Sequence, residues 1–216
     1  MKTTAIKIPI KHHFLSGDLT QPEDVIGLVI FSHGSGSSRF STRNKLVANQ
    51  LNQHKIATLL FDLLTVEEDS YFENRFNIDL LTTRLIEITQ WILETTTIKK
   101  LPIGYFGAST GAASAVRAAA YFGPTIKALV SRGGRPDLAI PALPKVTAPT
   151  LLIVGELDDT VVEMNRVALL HLNTQKELKV IPGATHLFEE AGALEQVADV
   201  AVSWFEDCFT KQFVSL

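Results

Sequence analysis

The chain has 216 residues, of which 46% are hydrophobic and 20% charged, a balance typical of a globular protein with a buried core and not of a disordered one. The formal charge is −3, from 20 basic and 23 acidic residues, so the chain lacks the basic excess that nucleic-acid binding usually requires. With one cysteine, Cys208, and no apolar run near the ~20 residues that span a bilayer, the sequence predicts a soluble, cytoplasmic protein without disulfide or membrane partner.

Short apolar runs rich in leucine and β-branched residues recur along the chain, and such runs are typical of strands buried on both faces of a parallel sheet. They lie at 26–31, 56–61, 101–106, 126–130, 150–154 and 178–181. Helical patterns lie between them, at 43–53, 78–93, 111–121, 162–172 and 194 to about 209. This alternation predicts an α/β fold with a doubly wound, mostly parallel sheet flanked by helices. Because six strands can form one sheet, we expect a single domain over residues 1–216.

The connections between these elements suggest few additions to the sheet. The proline-rich stretch 136–149 is interpreted as a loop with at most a short helix. The acidic residues at 67–69 indicate a solvated turn, with a small lid over 63–76 as the alternative. The short connection after Phe61 therefore predicts a minimal lid or none, over a small and fairly open pocket.

The pattern G-x-S-x-G directly follows the third predicted strand, in the run GASTG from Gly107 to Gly111. A strand, this pattern and a helix of small residues form the context of a nucleophile elbow. The two glycines let the chain turn sharply without Cβ clashes, which leaves the hydroxyl of Ser109 exposed at the carboxyl edge of the sheet. Ser109 is therefore the predicted nucleophile, and its alternative role is a helix N-cap.

A serine nucleophile needs a base to take its proton and an acid to orient that base. His186 follows the last predicted strand and is the candidate base. Asp158 and Asp159 follow the strand at 150–154, and Glu156 is a less favoured third candidate. Because either aspartate could cap the helix that follows, their spacing alone does not choose between them.

The glycine-rich run 31–38 (FSHGSGSS) follows the first predicted strand and can turn backbone N–H groups inward. We expect the N–H groups of Ser35 and Thr110 to bind an oxyanion. His33 and Gly34 are candidate pocket walls, with a structural role favoured for the histidine. The run lacks the third glycine of a dinucleotide fingerprint, and no G-K-[ST] occurs, so nucleotide binding is not predicted.

Arg132 follows the strand at 126–130 and is predicted to reach the same sheet edge. The functional interpretation is a contact with an acidic substrate. The alternative is an arginine that braces its own loop.

The runs HGSGSSR, GASTG, SRGGRPD, GELD and GATH together resemble the α/β-hydrolase superfamily, and within it the dienelactone hydrolase-like group, over roughly residues 26–209. The order Ser109, Asp158, His186 is the nucleophile, acid, base order of that superfamily. The resemblance implies an acid in a G-x-x-D turn, which favours Asp158 over Asp159. Dienelactone hydrolases proper carry cysteine where this chain has Ser109, so the resemblance does not extend to a lactone substrate.

We therefore expect a serine hydrolase that cleaves a small carboxylic ester, lactone or related acyl compound through an acyl-enzyme, with no metal or organic cofactor. Two alternatives stay open: an acyltransferase with the same triad, and a ligand-binding protein without turnover. The natural substrate and the oligomeric state cannot be predicted from the sequence.

Overall fold

The computed structural model describes residues 1–11, 13–95, 98 and 100–210. Within these residues, eight strands form one sheet: β1 (Lys2–Ile10), β2 (His13–Gln21), β3 (Gly27–Ser32), β4 (Ile56–Phe61), β5 (Ile103–Ala108), β6 (Ile126–Arg132), β7 (Thr150–Gly155) and β8 (Lys176–Ile181). The α-helices are α1 (Thr42–Gln53), α2 (Val66–Asp69), α3 (Ile78–Thr95), α4 (Thr110–Phe122), α5 (Asp159–His171) and α6 (Ala193–Thr210). Short 3₁₀ segments lie at Phe72–Phe76, Gly123–Thr125 and Pro136–Lys145.

The strand order is β1-β2-β4-β3-β5-β6-β7-β8. The strands from β4 across to β8 pair in parallel, whereas β2 is antiparallel to both of its neighbours, β1 and β4. The predicted α/β fold with a mostly parallel sheet is confirmed. Every predicted strand and helix is present, with boundaries shifted by no more than about three residues. The assignment of residues 1–216 to one domain stays a prediction.

The hairpin of β1 and β2 is not among the strands predicted from the sequence. It lies at the edge of the sheet, where β1 is largely exposed and buries only Ile8 and Ile10. Because the hairpin faces the core on one side and solvent on the other, its sequence has no continuous apolar run of the kind that marks the central strands.

Helices cover both faces of the sheet. The central strands β3, β4, β5 and β7 are buried at all six positions, as their sequences predict. Helices α1 and α6 pack together on one face, and α3, α4 and α5 lie on the other. None of the described helices is both long enough and apolar enough to cross a membrane.

The loops after the parallel strands all leave the sheet at the carboxyl edge, where open α/β sheets place their ligand sites. This edge therefore gathers residues that are far apart in sequence, including Ser109 after β5, Asp158 after β7 and His186 after β8. The segment 63–76, which follows β4, forms α2 and a 3₁₀ turn instead of an irregular loop.

Candidate active site

Ser109 occupies the turn between β5 and α4 in a strained backbone conformation, with φ 50° and ψ −124°. Positive φ is costly for a residue with a side chain and is common at nucleophile elbows. The flanking glycines make the close approach possible. A Cβ on Gly107 would lie 2.6 Å from Cα of Ala112, and one on Gly111 would collide with the backbone carbonyls of Ser32 and His33.

Backbone hydrogen bonds from the neighbouring strand hold this strained turn. The N–H of Ser109 donates to the carbonyl of Arg132, at 3.2 Å, and the carbonyl of Ser109 accepts from the N–H of Arg135, at 3.0 Å. The carbonyl of Ser109 also accepts from the N–H of Ala112, at 3.1 Å. The position of the serine is therefore set jointly by β5, β6 and the first turn of α4.

His186 is hydrogen-bonded through Nδ1 to Oδ2 of Asp158, at 2.6 Å. Asp158 is the N-cap residue of α5, yet its side chain makes no capping hydrogen bond. Its carboxylate is instead directed to the imidazole, and Asp159 forms the first residue of the helix. The geometry thus pairs His186 with Asp158, the aspartate that the G-x-x-D turn favours.

A second set of contacts fixes the loop of Asp158 against the loop of His186. The N–H of Gly183 donates to a carboxylate oxygen of Glu156, at 2.7 Å, and the N–H of Leu157 donates to the carbonyl of Ala184, at 2.9 Å. Glu156, the third acid candidate, therefore braces these two loops. These hydrogen bonds favour a fixed distance between the carboxylate of Asp158 and the imidazole of His186.

Ser109 and His186 line one cavity of about 230 Å³ at the carboxyl edge, here called the catalytic cavity. Its other walls are Gly34, Ser35, Ser37, Ser41, Arg43, Asn44, Ala108, Arg132 and Leu187. The cavity has a mixed polar and apolar lining, and its size suits a small substrate.

The glycine-rich loop reaches the elbow through Thr110, which is buried and begins α4. The N–H of Ser35 donates to Oγ1 of Thr110, at 2.9 Å. The donor expected to bind an oxyanion is therefore engaged by a side chain in this structure. The N–H of Thr110 lies in the first turn of α4, where N–H groups have no carbonyl partner within the helix.

His33 lines a neighbouring cavity, together with Arg39, Asp62 and Asp69, instead of the catalytic cavity. Its Nδ1 lies 3.0 Å from the carbonyl of Gly34, and its Nε2 accepts the N–H of Leu63 at 3.1 Å. Because Nε2 is the acceptor, Nδ1 carries the proton and donates. Burial lowers the pKa of His33, which favours this neutral form. The histidine ties the glycine-rich loop to the segment after β4, and Gly34 lines the catalytic cavity.

Arg132 ends β6, is 7% exposed and is one of the residues that line the catalytic cavity. Burial, and after it the nearby positive charge of Arg43, lowers the pKa of Arg132 to about 10. At neutral pH the side chain is still a cation. It lies at 5.8 Å from the ring centroid of Phe188.

The family model of the alpha/beta hydrolase domain matches residues 26–206. The chain belongs to the alpha/beta hydrolase family. A dienelactone hydrolase from Anabaena variabilis is 49% identical, with a TM-score of 0.93 over 96% of this chain and 98% of that one. This match supports the dienelactone hydrolase-like assignment. Est1E from Butyrivibrio proteoclasticus, 19% identical, shares the fold with a TM-score of 0.83 over 96% of this chain and 99% of its own.

A protein of Mycobacterium tuberculosis named "Putative phosphoribosyl transferase" is 54% identical to this alpha/beta hydrolase over 193 residues. The match covers 89% of this chain and 44% of the relative. The chain thus spans less than half the length of that relative.

Among the residues of the alpha/beta hydrolase's cavity wall that were not predicted from the sequence are Arg43 and Asn44. Both lie in the first turn of α1, directly after the N-cap residue Ser41. A signal was present, because a helix that follows a glycine-rich loop after a parallel strand begins at the carboxyl edge. No cluster of three or more potential metal-ligating His, Cys, Asp or Glu side chains occurs among residues 1–11, 13–95, 98 and 100–210.

Proposed function

We propose that this alpha/beta hydrolase is a serine hydrolase that cleaves a small carboxylic ester, lactone or related acyl compound, with Ser109 as nucleophile, His186 as base and Asp158 as orienting acid. The observation that carries the proposal is the hydrogen bond between His186 and Asp158 beside a serine held at positive φ, with serine and histidine on one cavity. These are the three parts that serine-based acyl transfer requires.

In the proposed mechanism Nε2 of His186 takes the proton of Ser109 as the hydroxyl attacks the acyl carbon. The carboxylate of Asp158 accepts a hydrogen bond from Nδ1–H of His186. This bond fixes the tautomer and stabilises the imidazolium. His186 then gives its proton to the leaving alcohol, and an acyl group is left on Ser109. Water, activated by the same histidine, releases the acid and restores the serine.

The oxyanion of the tetrahedral intermediate is assigned to two backbone donors. The N–H of Thr110 is at the positive end of α4 and has no helical partner. The N–H of Ser35 becomes the second donor when the Thr110 side chain rotates away from it. Removing one such donor typically slows the reaction by about 10²- to 10³-fold.

The name of the M. tuberculosis relative does not alter this proposal. The chain spans 44% of that protein, whereas it covers 98% of a dienelactone hydrolase at 49% identity. Hydrolysis is therefore the activity that the residues of this chain support best. Acyl transfer to an alcohol would use the same three side chains and would be seen as ester product when alcohol is added to the assay.

Labelling with a fluorophosphonate, followed by peptide mass mapping, tests the proposal. We expect one phosphonylated site, Ser109, because only an activated serine reacts with this reagent. Ser109→Ala should abolish the label, and His186→Ala should slow it by about 10²-fold or more, the range of general-base contributions. Asp159→Asn is the matched control and should label at the wild-type rate. Folded wild-type protein that takes up no label would contradict the proposal.

A further inference from the structure

We infer that the catalytic cavity contains an anion-binding subsite, formed by Arg132, Arg43 and the N-terminus of α1, and that the substrate carries a carboxylate or phosphate group near its scissile acyl bond. This inference rests on the proposed hydrolase function and names its substrate class. Carboxylate and phosphate share the chemistry that matters here, an anionic group with several oxygen acceptors.

The first observation is a buried cation without a counter-charge. Arg132 is 7% exposed, and its Nε has no hydrogen-bond partner among the residues that the structure describes. Its one side-chain hydrogen bond there is a long one, 3.5 Å from Nη2 to Oδ1 of Asn44. No carboxylate of the described residues lies within 4 Å of the guanidinium group of Arg132. Burying a charge in this way is unfavourable unless a partner compensates it.

The second observation is another guanidinium beside the first. Arg43 lines the same cavity and lowers the pKa of Arg132 through charge repulsion, after the larger effect of burial. Nη1 of Arg43 contacts Oε1 of Glu189 at 3.2 Å, but that carboxylate is 66% exposed. Nε of Arg43 is buried, again with no partner in the described ranges. Two cationic residues therefore line one cavity, and each has a buried Nε without a partner in the described ranges.

The third observation is the direction of α1. Its 12 residues begin at Thr42, and its first turn carries no acidic side chain. The residues of its start that line the cavity are Ser41, Arg43 and Asn44. N–H groups in a first helical turn lack helical partners and form the positive end of the helix dipole, which favours anions. The helix end thus adds to the positive potential of the two guanidinium groups.

The anion and the reacting bond must lie close together, because Arg132, Ser109 and His186 are walls of one cavity of about 230 Å³. Arg132 also ends the strand beside the elbow, where it pairs in register with Ala108. An anion held by Arg132 would therefore position the acyl carbon relative to Ser109. Guanidinium groups suit this role because their fork of donors matches carboxylate and phosphate oxygens.

Three nitrophenyl esters with the same leaving group test the inference: the neutral pentanoate, the hydrogen succinate and the 3-phosphonopropanoate. The spontaneous rate, which for the anionic esters includes attack by their own anion, is subtracted first. Each kcat/KM is then divided by the rate constant of hydroxide hydrolysis, so that the reactivity of the acyl group toward a nucleophile cancels. We expect at least one anionic ester to exceed the neutral one by about 10- to 100-fold, as a charge-assisted contact in a desolvated site allows. The better of the two identifies the anion as carboxylate or phosphate. No preference for either would overturn the inference.

Variants locate the preference at the arginine. In Arg132→Met the ratio of anionic to neutral kcat/KM should fall to near one, and in Arg132→Lys it should lie between, because one point charge replaces the fork. Arg166→Met is the matched control, since it removes the same charge from an exposed pair with Glu163 on α5. It should keep the wild-type ratio. An unchanged ratio in folded Arg132→Met would overturn the assignment of the subsite.

Failure of the inference and failure of the proposed function are distinguishable. If the fluorophosphonate labels Ser109 but the anionic esters show no advantage, the subsite is wrong and the hydrolase proposal stands. If neither label nor hydrolysis is seen, thermal shifts with succinate and inorganic phosphate at constant ionic strength test the subsite alone. A shift that is lost in Arg132→Met upholds it, and no shift in wild type overturns it.

Discussion

Ser109 directly follows β5, and Arg132 is the last residue of the neighbouring strand β6. Each residue has an unfavourable free-energy contribution in the folded protein, for a different reason. The strain at Ser109 is conformational, and the protein offsets it with three backbone hydrogen bonds around the turn. The unfavourable term at Arg132 is electrostatic, and no carboxylate of the described residues offsets it. The proposed nucleophile is thus preorganised by the chain itself, whereas the arginine of the proposed subsite has a charge that a bound anion would neutralise.

Replacing Ser109 gives the largest expected effect. Ser109→Ala and Ser109→Gly should both reduce kcat/KM by about 10⁴-fold or more, because the proposed nucleophile is removed. The two variants should differ in stability. Glycine tolerates φ 50°, so Ser109→Gly should have a free energy of unfolding about 1 kcal/mol above that of Ser109→Ala in urea denaturation. Equal stabilities would show that the elbow is not strained.

Asp158→Asn and Asp159→Asn form the next pair. Loss of the carboxylate bonded to His186 should lower kcat by about 10²- to 10⁴-fold, because the imidazolium is no longer stabilised and its tautomer is no longer fixed. Asp159→Asn should leave kcat within about threefold and cost only about 0.5 kcal/mol of stability at the start of α5. Steady-state kinetics and thermal unfolding check both. A larger loss of kcat in Asp159→Asn would reverse the assignment of the acid.

Two buried arginines sharpen the electrostatic side of the comparison. Arg84 is 8% exposed, like Arg132 at 7%, but it is ion-paired with Glu68 and Glu87. Arg84→Met should lower the free energy of unfolding by about 2 kcal/mol, because two carboxylates lose their partner. Arg132→Met should leave it unchanged or raise it by about 1 kcal/mol, since a buried, uncompensated charge is replaced by an apolar chain of similar length. Denaturant unfolding of both variants decides; equal losses would show that Arg132 is already compensated.

The smallest expected effect concerns the pH dependence of stability that arises from Glu68, the ion-pair partner of Arg84. Burial of Glu68 alone would raise its pKa, but the N–H of Thr65 and the guanidinium of Arg84 outweigh this and hold the pKa below its usual value. Because the pKa is lower in the folded state, this stabilisation is present above the unfolded pKa and is lost as pH falls through the folded one.

Wild type should therefore lose about 0.5 kcal/mol more stability than Glu68→Gln as the pH is lowered from about 5 to below the folded pKa of Glu68. Unfolding titrations of the two proteins at several pH values measure the difference. Parallel pH profiles would remove Glu68 from this account.

The sequence predicts the central sheet, its helices and the elbow because each is a local pattern. Continuous apolar runs mark the buried strands, and GASTG marks the turn that positions Ser109. The hairpin of β1 and β2 escaped because an edge strand alternates and has no such run. The glycine-rich loop before α1 indicates that the helix begins at the carboxyl edge, but which side chains of its first turn line the cavity, here Arg43 and Asn44, depends on the packing of α1.

The contact of Ser35 with Thr110 was also beyond sequence reasoning. The glycine-rich loop indicates which N–H groups could turn inward, but not which acceptor engages them in the absence of substrate. The preference for Asp158 over Asp159 came from the family resemblance, and the geometry of His186 agrees with it.

The most direct test of the central claim is rapid-quench intact mass spectrometry during hydrolysis of 4-nitrophenyl acetate. The account predicts a transient adduct of one acetyl group, mapped to Ser109 after digestion, formed with a burst of nitrophenol and absent from Ser109→Ala. Turnover of the ester with no adduct on Ser109, or with an adduct on another residue, would contradict it.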